Sequence, residues 1–373
     1  MRAREPDASG FVERDGVRSH YEVFGSGSPT VLLMPTWQIA HSRIWKSQVP
    51  YLARHFRVVT FDARGNGRAD RPAGPERYAD TEIAGDAVAV LDATGTELAV
   101  TVGFSMGGWW ATLLAAEHPE RVSGLVLVAP LCLLEPFPVL DIFTVPLPVE
   151  EGWARFNQYS FHRDCGGFLK FFFSQMYTEP HSTKQVEDGV AWALETTPDV
   201  MVDTVLAVAD WADAKQAHGR VACPALVVCG TADMVVPQTH SRAAAEALAA
   251  PLVSLEGCGH APHARDPVKI NLVLRDFVES VAPTPPPPRP WARGLVRQKR
   301  ALYLSSPIGL GHAQRDVAVA DELRRLAPDL QVDWLAQHPV TAVLEARGER
   351  IHAASAHLVS ESAHVESESA EHD

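Results

Sequence analysis

One pentapeptide constrains the fold of this 373-residue chain more than any other stretch: Gly103-Phe104-Ser105-Met106-Gly107. The apolar run Leu98-Ala99-Val100 before it reads as a short buried strand, and Ala111-Thr112-Leu113-Leu114-Ala115-Ala116 after it reads as a helix. A serine at the apex of such a strand-to-helix turn sits in a strained backbone conformation. Glycines two residues before and two after keep side chains clear of the strand and the helix. The bare pentapeptide would arise by chance roughly 0.1 times in a chain this long. The strand and helix on either side are what raise it above coincidence.

The same rhythm extends in both directions. Val17 to Phe24 alternates like a strand, and Thr30 to Met34 is a continuous apolar run that should be covered on both faces. Helical spacing follows from Ser42 to His55, then the strand Arg57 to Phe61, helical spacing from Tyr78 to Thr94, and a buried strand at Ser123 to Val128. This alternation predicts an α/β fold with a doubly wound, mostly parallel sheet and right-handed crossovers. From Pro130 to about Arg220 the strand rhythm lapses and aromatic residues crowd in, among them Phe137, Phe143, Trp153, Phe156, Phe161, Phe168, Phe172 and Trp192. Residues 131–220 therefore read as a helical cap inserted over the C-terminal edge of the sheet. Any one of these rings is expected to pack the insertion onto the main domain; collectively, some should line an apolar pocket. The rhythm resumes with the strand Ala225 to Gly230, a helix from Thr239 to Leu248, the strand Leu252 to Leu255 and a helix from Val268 to Val281. The main domain thus comprises residues 16–130 and 221–281, behind a polar N-terminal tail of residues 1–15.

Composition narrows the function classes. A formal net charge of −13 argues against a nucleic-acid partner, since phosphate binding needs a net basic face. The longest apolar stretch, Val122 to Leu134, stops at Glu135, well short of the ~20 residues of a spanning helix. With Met1 to Gly16 polar, the expected location is the cytoplasm. The five cysteines are scattered and contain no C-x-x-C pair, so they read as small buried residues in a reducing compartment. No metal site and no cofactor are expected. The glycine-rich loop Asp62 to Pro72 lacks the spacing of a nucleotide-binding loop and reads as structural.

Ser105, Asp233 and His260 each follow directly on a predicted strand and so fall on one rim of the sheet, where ligand sites in parallel sheets belong. A serine hydroxyl is a feeble nucleophile until an imidazole takes its proton. The imidazole in turn needs a carboxylate to fix its tautomer and stabilise its charged form. The developing oxyanion needs two backbone donors: Met106 N–H is one, and the loop after the Thr30–Met34 strand supplies the other, most plausibly Trp37 N–H.

With these motifs in chain order, residues 16–281 resemble an α/β-hydrolase. Gly103 to Gly107 resembles the family's nucleophile elbow, Gly230-Thr231-Ala232-Asp233 its acid loop, Gly259-His260 its histidine loop, and Asp62-Ala63-Arg64-Gly65-Asn66-Gly67 its Asp-x-Arg-Gly-x-Gly loop. Where many members carry His-Gly after the oxyanion strand, this chain has Pro35-Thr36-Trp37, which leaves the Thr36 hydroxyl as an alternative donor. The resemblance implies a carboxylesterase-like serine hydrolase acting through an acyl-enzyme on a small, apolar acyl substrate. A serine nucleophile disfavours epoxide hydrolysis and haloalkane dehalogenation, for which this fold generally carries Asp. Thioester, lactone, amide or C–C cleavage and acyl transfer stay open, as does a catalytically silent sensor or scaffold. His263 is read as non-catalytic.

Pro283-Thr284-Pro285-Pro286-Pro287-Pro288-Arg289-Pro290 marks a stiff linker within 282–298. After it, Ala301–Leu304 reads as a strand, Ser305–His312 as a glycine loop, Val317–Leu326 as a helix, Val332–Leu335 as a strand and Thr341–Ala346 as a short helix. Residues 299–373 resemble the opening βαβ of a GT-B glycosyltransferase, an incomplete Rossmann-like piece whose Gly309-Leu310-Gly311-His312 would lie near sugar-nucleotide phosphates. Two readings follow: an accessory hydrolase ahead of a truncated or decayed transferase, or a remnant used for partner docking. Ser360 to Asp373 has little to bury and is expected to be loose.

Overall fold

A computed structural model describes residues 4–149, 151–208, 211–281, 299–305 and 310–358. The chain divides into two compact units, Met1–Thr284 and Pro285–Asp373. The first is built on strands β1 (Ala8–Arg14), β2 (Val17–Phe24), β3 (Thr30–Leu33), β4 (Arg57–Phe61), β5 (Ala99–Phe104), β6 (Val122–Val128), β7 (Ala225–Gly230) and β8 (Leu252–Leu255). They form one sheet in the order β1-β2-β4-β3-β5-β6-β7-β8. Pairing is antiparallel at β1–β2 and β2–β4 and parallel from β4 onward. Every residue of β5 and of β7 is buried, as expected for strands covered on both faces.

Three local expectations needed correction. The N-terminal tail of 1–15 is not all tail: Ala8–Arg14 is the edge strand of the sheet. An edge strand is held by its backbone ladder, and with Phe11 47% exposed its side chains carry almost no burial signal. The helix expected over 42–55 is instead a 3₁₀ turn, Ser42–Trp45, and one helical turn, α1 (Val49–Leu52). Pro50 has no N–H to continue a helix and sits in the first turn of a new one. The helix expected from Tyr78 begins two residues later as α2 (Asp80–Ala93), behind the 3₁₀ turn Pro75–Tyr78.

Beyond β5 comes α3 (Met106–Glu117), and the insertion after β6 contains α4 (Gln158–Met176), α5 (Thr183–Ala193), α6 (Pro198–Leu206) and α7 (Trp211–Arg220). α7 packs beside α3, where His218 stacks on Trp109 with ring centroids 6.0 Å apart, so the insertion ends on the flank of the core. The unit closes with α8 (Gln238–Ala247), α9 (Pro262–Arg265) and α10 (Pro267–Val281). The Asp62–Pro72 loop is held by a buried ion pair. Arg64 is fully buried and reaches both oxygens of Asp86 on α2, at 2.7 and 2.6 Å. Such a bidentate pair locks a loop in one geometry.

The second unit is a small three-stranded parallel sheet, in the order β11-β10-β9, of β9 (Arg300–Leu304), β10 (Gln331–Leu335) and β11 (Arg350–Ile351). Helices α11 (Leu310–Leu326) and α12 (Val340–Ala346) cover it through a core around Trp334, Val317 and Leu344. The expected phosphate loop includes 306–309, which lie outside the described residues, as do the whole proline linker of 282–298 and residues 359–373. Among the described residues no helix is long and apolar enough to cross a membrane.

Candidate active site

β5 ends at Phe104, and the chain turns through Ser105 at φ 54° and ψ −123° before α3 begins. A non-glycine residue there is strained, and the strain persists only because the surroundings over-determine it. Ser105 N–H donates to Val128 O of β6 at 3.0 Å, and Ser105 O accepts from Gly108 N at 2.9 Å and from Leu131 N at 3.1 Å. The flanking glycines are required sterically. A Cβ on Gly103 would collide with Gly107 O, and one on Gly107 would collide with Pro35 O.

The two other residues come to this turn from separate loops. His260 Nε2 lies 3.0 Å from Ser105 Oγ, and His260 Nδ1 lies 2.8 Å from Asp233 Oδ2. An ionised carboxylate can only accept, so Nδ1 carries the proton and Nε2 offers its lone pair to the serine hydroxyl. Asp233 is fixed from behind, its Oδ1 accepting from Val235 N at 2.8 Å and Val236 N at 2.9 Å. The side chains of His260 and Asp233 are 1% and 2% exposed, while Ser105 is half-buried. The polar chain is therefore dry behind and open at its serine end, which strengthens each of its hydrogen bonds.

Met106 is the first residue of α3, where a helix leaves its N–H groups without intrahelical partners. The Pro35–Trp37 segment lies against Gly107, and among the described residues Trp37 N–H makes no hydrogen bond. Met106 directly follows Ser105, and Pro35 and Thr36 of the β3 loop lie against Gly107, two residues beyond it. What the pattern did not show is how the elbow helix is anchored: Trp109 and Trp110 Nε1 donate to the two oxygens of buried Asp80, at 2.8 and 2.6 Å. In the sequence Asp80 reads only as an acidic helix start; two adjacent tryptophans at the head of α3 were the available signal.

A model of the alpha/beta hydrolase fold matches residues 29–267. The chain belongs to the α/β-hydrolase fold family. The RutD protein of Azorhizobium caulinodans, named "Putative carbamate hydrolase", is 37% identical over 109 residues, covering 29% of this chain and 40% of its own length. Its counterpart of the same name in Variovorax paradoxus is 27% identical over 283 residues, 70% of this chain and 97% of the relative. The chain therefore spans about 40% of the first of these relatives and nearly all of the second. An esterase from Exiguobacterium antarcticum has the same fold, with a TM-score of 0.62 at 22% identity over 72% of this chain and 98% of that one.

The cap is held by rings. Trp37, at the end of the β3 loop, packs at 5.5 Å from both Phe156 and Phe172 and near Phe161 and Phe168. Its indole N–H donates to Thr204 Oγ1 of α6 at 2.8 Å. Most of the aromatic crowding is thus a core between cap and main domain. His263 lies three residues beyond His260 but in a different environment. It is fully buried between Phe104 and Trp45, at 4.4 and 4.9 Å, with no hydrogen bond at either nitrogen. Burial, with a smaller contribution from His260, pushes its pKa down to about 3, so it stays neutral. A cleft of about 550 Å³ lies elsewhere, between α1, β2 and α5, and none of Ser105, Asp233 or His260 lines it.

Proposed function

We propose that this enzyme is a serine hydrolase that cleaves an ester or related acyl bond of a small, apolar substrate through Ser105, His260 and Asp233. The observation that carries this reading is the unbroken chain from Asp233 to His260 to Ser105, at 2.8 and 3.0 Å, ending on a serine with a strained backbone.

In this mechanism Ser105 Oγ bonds to the acyl carbon as its proton passes to His260 Nε2. Asp233, accepting from Nδ1–H, stabilises the imidazolium. Met106 N–H and Trp37 N–H donate to the oxyanion, each positioned before the charge develops. His260 returns the proton to the leaving alcohol or amine, giving the acyl-enzyme. Water then bonds to the acyl carbon as His260 takes its proton, and His260 passes that proton to Ser105 Oγ as the acyl–oxygen bond breaks, which regenerates Ser105 and releases the acid. Relatives named as carbamate hydrolases favour acyl bonds as the substrate class, and a carbamate is one such bond. The half-exposed Ser105 and the apolar cap favour a small, weakly polar acyl group.

Labelling with a fluorophosphonate probe tests the reading, because only an activated serine reacts. The expected result is one modification, at Ser105, lost in Ser105→Ala together with turnover of a short-chain aryl ester. A folded protein that does not label is a silent scaffold, and turnover surviving in pure Ser105→Ala removes the triad.

A further inference from the structure

The loop that carries His260 is gripped on two sides. On the core side, Ala232 N–H donates to Cys258 O at 2.9 Å, and a Cβ on Gly230 would strike Cys258 O and Gly259 O, so the 258–259 peptide lies directly on the end of β7. The other side is cap. Gly259 N–H, one residue before His260, donates to Glu179 Oε1 at 2.8 Å. A Cβ on Gly259 would come within 2.9 Å of Thr178 Oγ1 and 3.2 Å of Met176 O, so the backbone that leaves α4 is in close contact with the loop. Glu179 is itself braced, with Arg265 Nε 3.9 Å from its Oε2 and Arg265 donating to Pro180 O at 3.0 Å. Its side chain is only 12% exposed, so the hydrogen bond to Gly259 is a charge-assisted one in a largely dry setting.

We infer that Glu179 is a positioning residue: through the Gly259 N–H the cap holds the histidine loop in register, and with it His260 Nε2 at hydrogen-bonding distance from Ser105. This rests on the triad reading above. Among the described residues Glu179 makes no hydrogen bond or ion pair with His260 or Ser105; its effect passes through one peptide. The physical reason is leverage. His260 must lie within hydrogen-bond reach of both Ser105 and Asp233, and a small displacement of the catalytic base costs about 10–100-fold in rate. The core side of the grip fixes the loop against the end of β7, and the cap side holds it at Gly259, the residue next to His260. A displaced cap would therefore slow the chemistry without any change in the triad residues.

The test uses the full chain with two readouts. Glu179→Ala is expected to slow fluorophosphonate labelling of Ser105 by about 10–100-fold, with aryl-ester KM within about twofold of the parent. It is also expected to speed hydrogen exchange at Gly259 N–H about tenfold. Glu179→Gln, whose amide oxygen accepts the same N–H, restores most of the labelling rate. Gly259→Ala, which leaves Glu179 in place but drives a methyl against Thr178, reproduces the slow labelling and serves if Glu179→Ala does not fold. Labelling of folded Glu179→Ala at the parental rate overturns the inference, as does Gly259 exchange that stays unchanged. If the parent itself never labels, it is the triad reading that fails, and the exchange measurement still judges the grip.

Discussion

Around Ser105 the molecule keeps its shape with glycines set against carbonyl oxygens and with charged hydrogen bonds; around Trp37, a few residues along the neighbouring loop, it keeps its shape with aromatic rings. The two regions therefore respond differently to change. A site defined by backbone contacts has no slack for a single added carbon. A ring cluster is specified mainly by volume, and it accepts a different side chain of similar size. His260 and His263, three residues apart, show the contrast: the first ring has polar partners at both nitrogens, and the second ring packs against Phe104 and Trp45 with no hydrogen bond at either nitrogen.

The largest expected effect breaks the polar region at its centre. Ser105→Ala should lower kcat for an aryl ester by about 10⁴–10⁶-fold, with the melting temperature preserved, because the nucleophile acts as a unit with its base. Stopped assays on pure protein against the buffer rate check this.

His263 tests the ring-packed region through pH. Its ordinary pKa is about 6.5 in an unfolded chain and falls to about 3 when folded. Above pH 6.5 both states are neutral and the residue contributes no pH dependence. Between 6.5 and 3 the unfolded chain takes up a proton that the folded one refuses, so stability falls as pH falls. The summed loss is on the order of 3–5 kcal/mol by pH 3. Denaturant titrations of His263→Phe should lack that component and leave the neutral-pH kcat/KM within a fewfold of the parent. An unchanged acid slope would place the ring in a wetter environment than described.

A pair of substitutions sharpens the comparison directly. Gly107→Ala adds one carbon against Pro35 O and is expected to cost about 3 kcal/mol or to prevent folding. Phe168→Leu, in the cap cluster, removes several carbons yet should cost about 1.5 kcal/mol or less after repacking. Urea midpoints in the reverse order would erase the distinction. The smallest effect is expected of Trp37→Phe, which keeps a ring in the cluster and loses the indole N–H to Thr204. About 1 kcal/mol is expected, since Thr204 retains its hydrogen bond to Met201 O.

The elements that were legible from the amino-acid order are those whose signal is local. The strand–turn–helix around Ser105, the apolar runs of β3, β5, β6 and β7, and the turns that carry Asp233 and His260 each announce themselves within a dozen residues. β1 did not, because an edge strand has one unpaired side and exposed side chains. Nor did the helix break at Pro50, where a favourable apolar spacing concealed a missing backbone donor.

By itself the sequence determined that a serine would stand on a strained turn at the rim of a parallel sheet, with an acid and a histidine on the same rim. It did so because strand ends and tight turns are written in short-range spacing. Only the tertiary structure decided the rest: that Asp80 takes both indoles of α3, that the aromatic crowd is a core between cap and main domain, that His263 is sealed and neutral, and that Glu179 reaches the peptide beside His260. These pairs are 29 and 30 residues apart for Asp80 and 80 for Glu179, and no local periodicity encodes which distant polar groups meet. Their partnership follows from where the packed layers bring the backbone, and burial then makes an unpaired alternative costly.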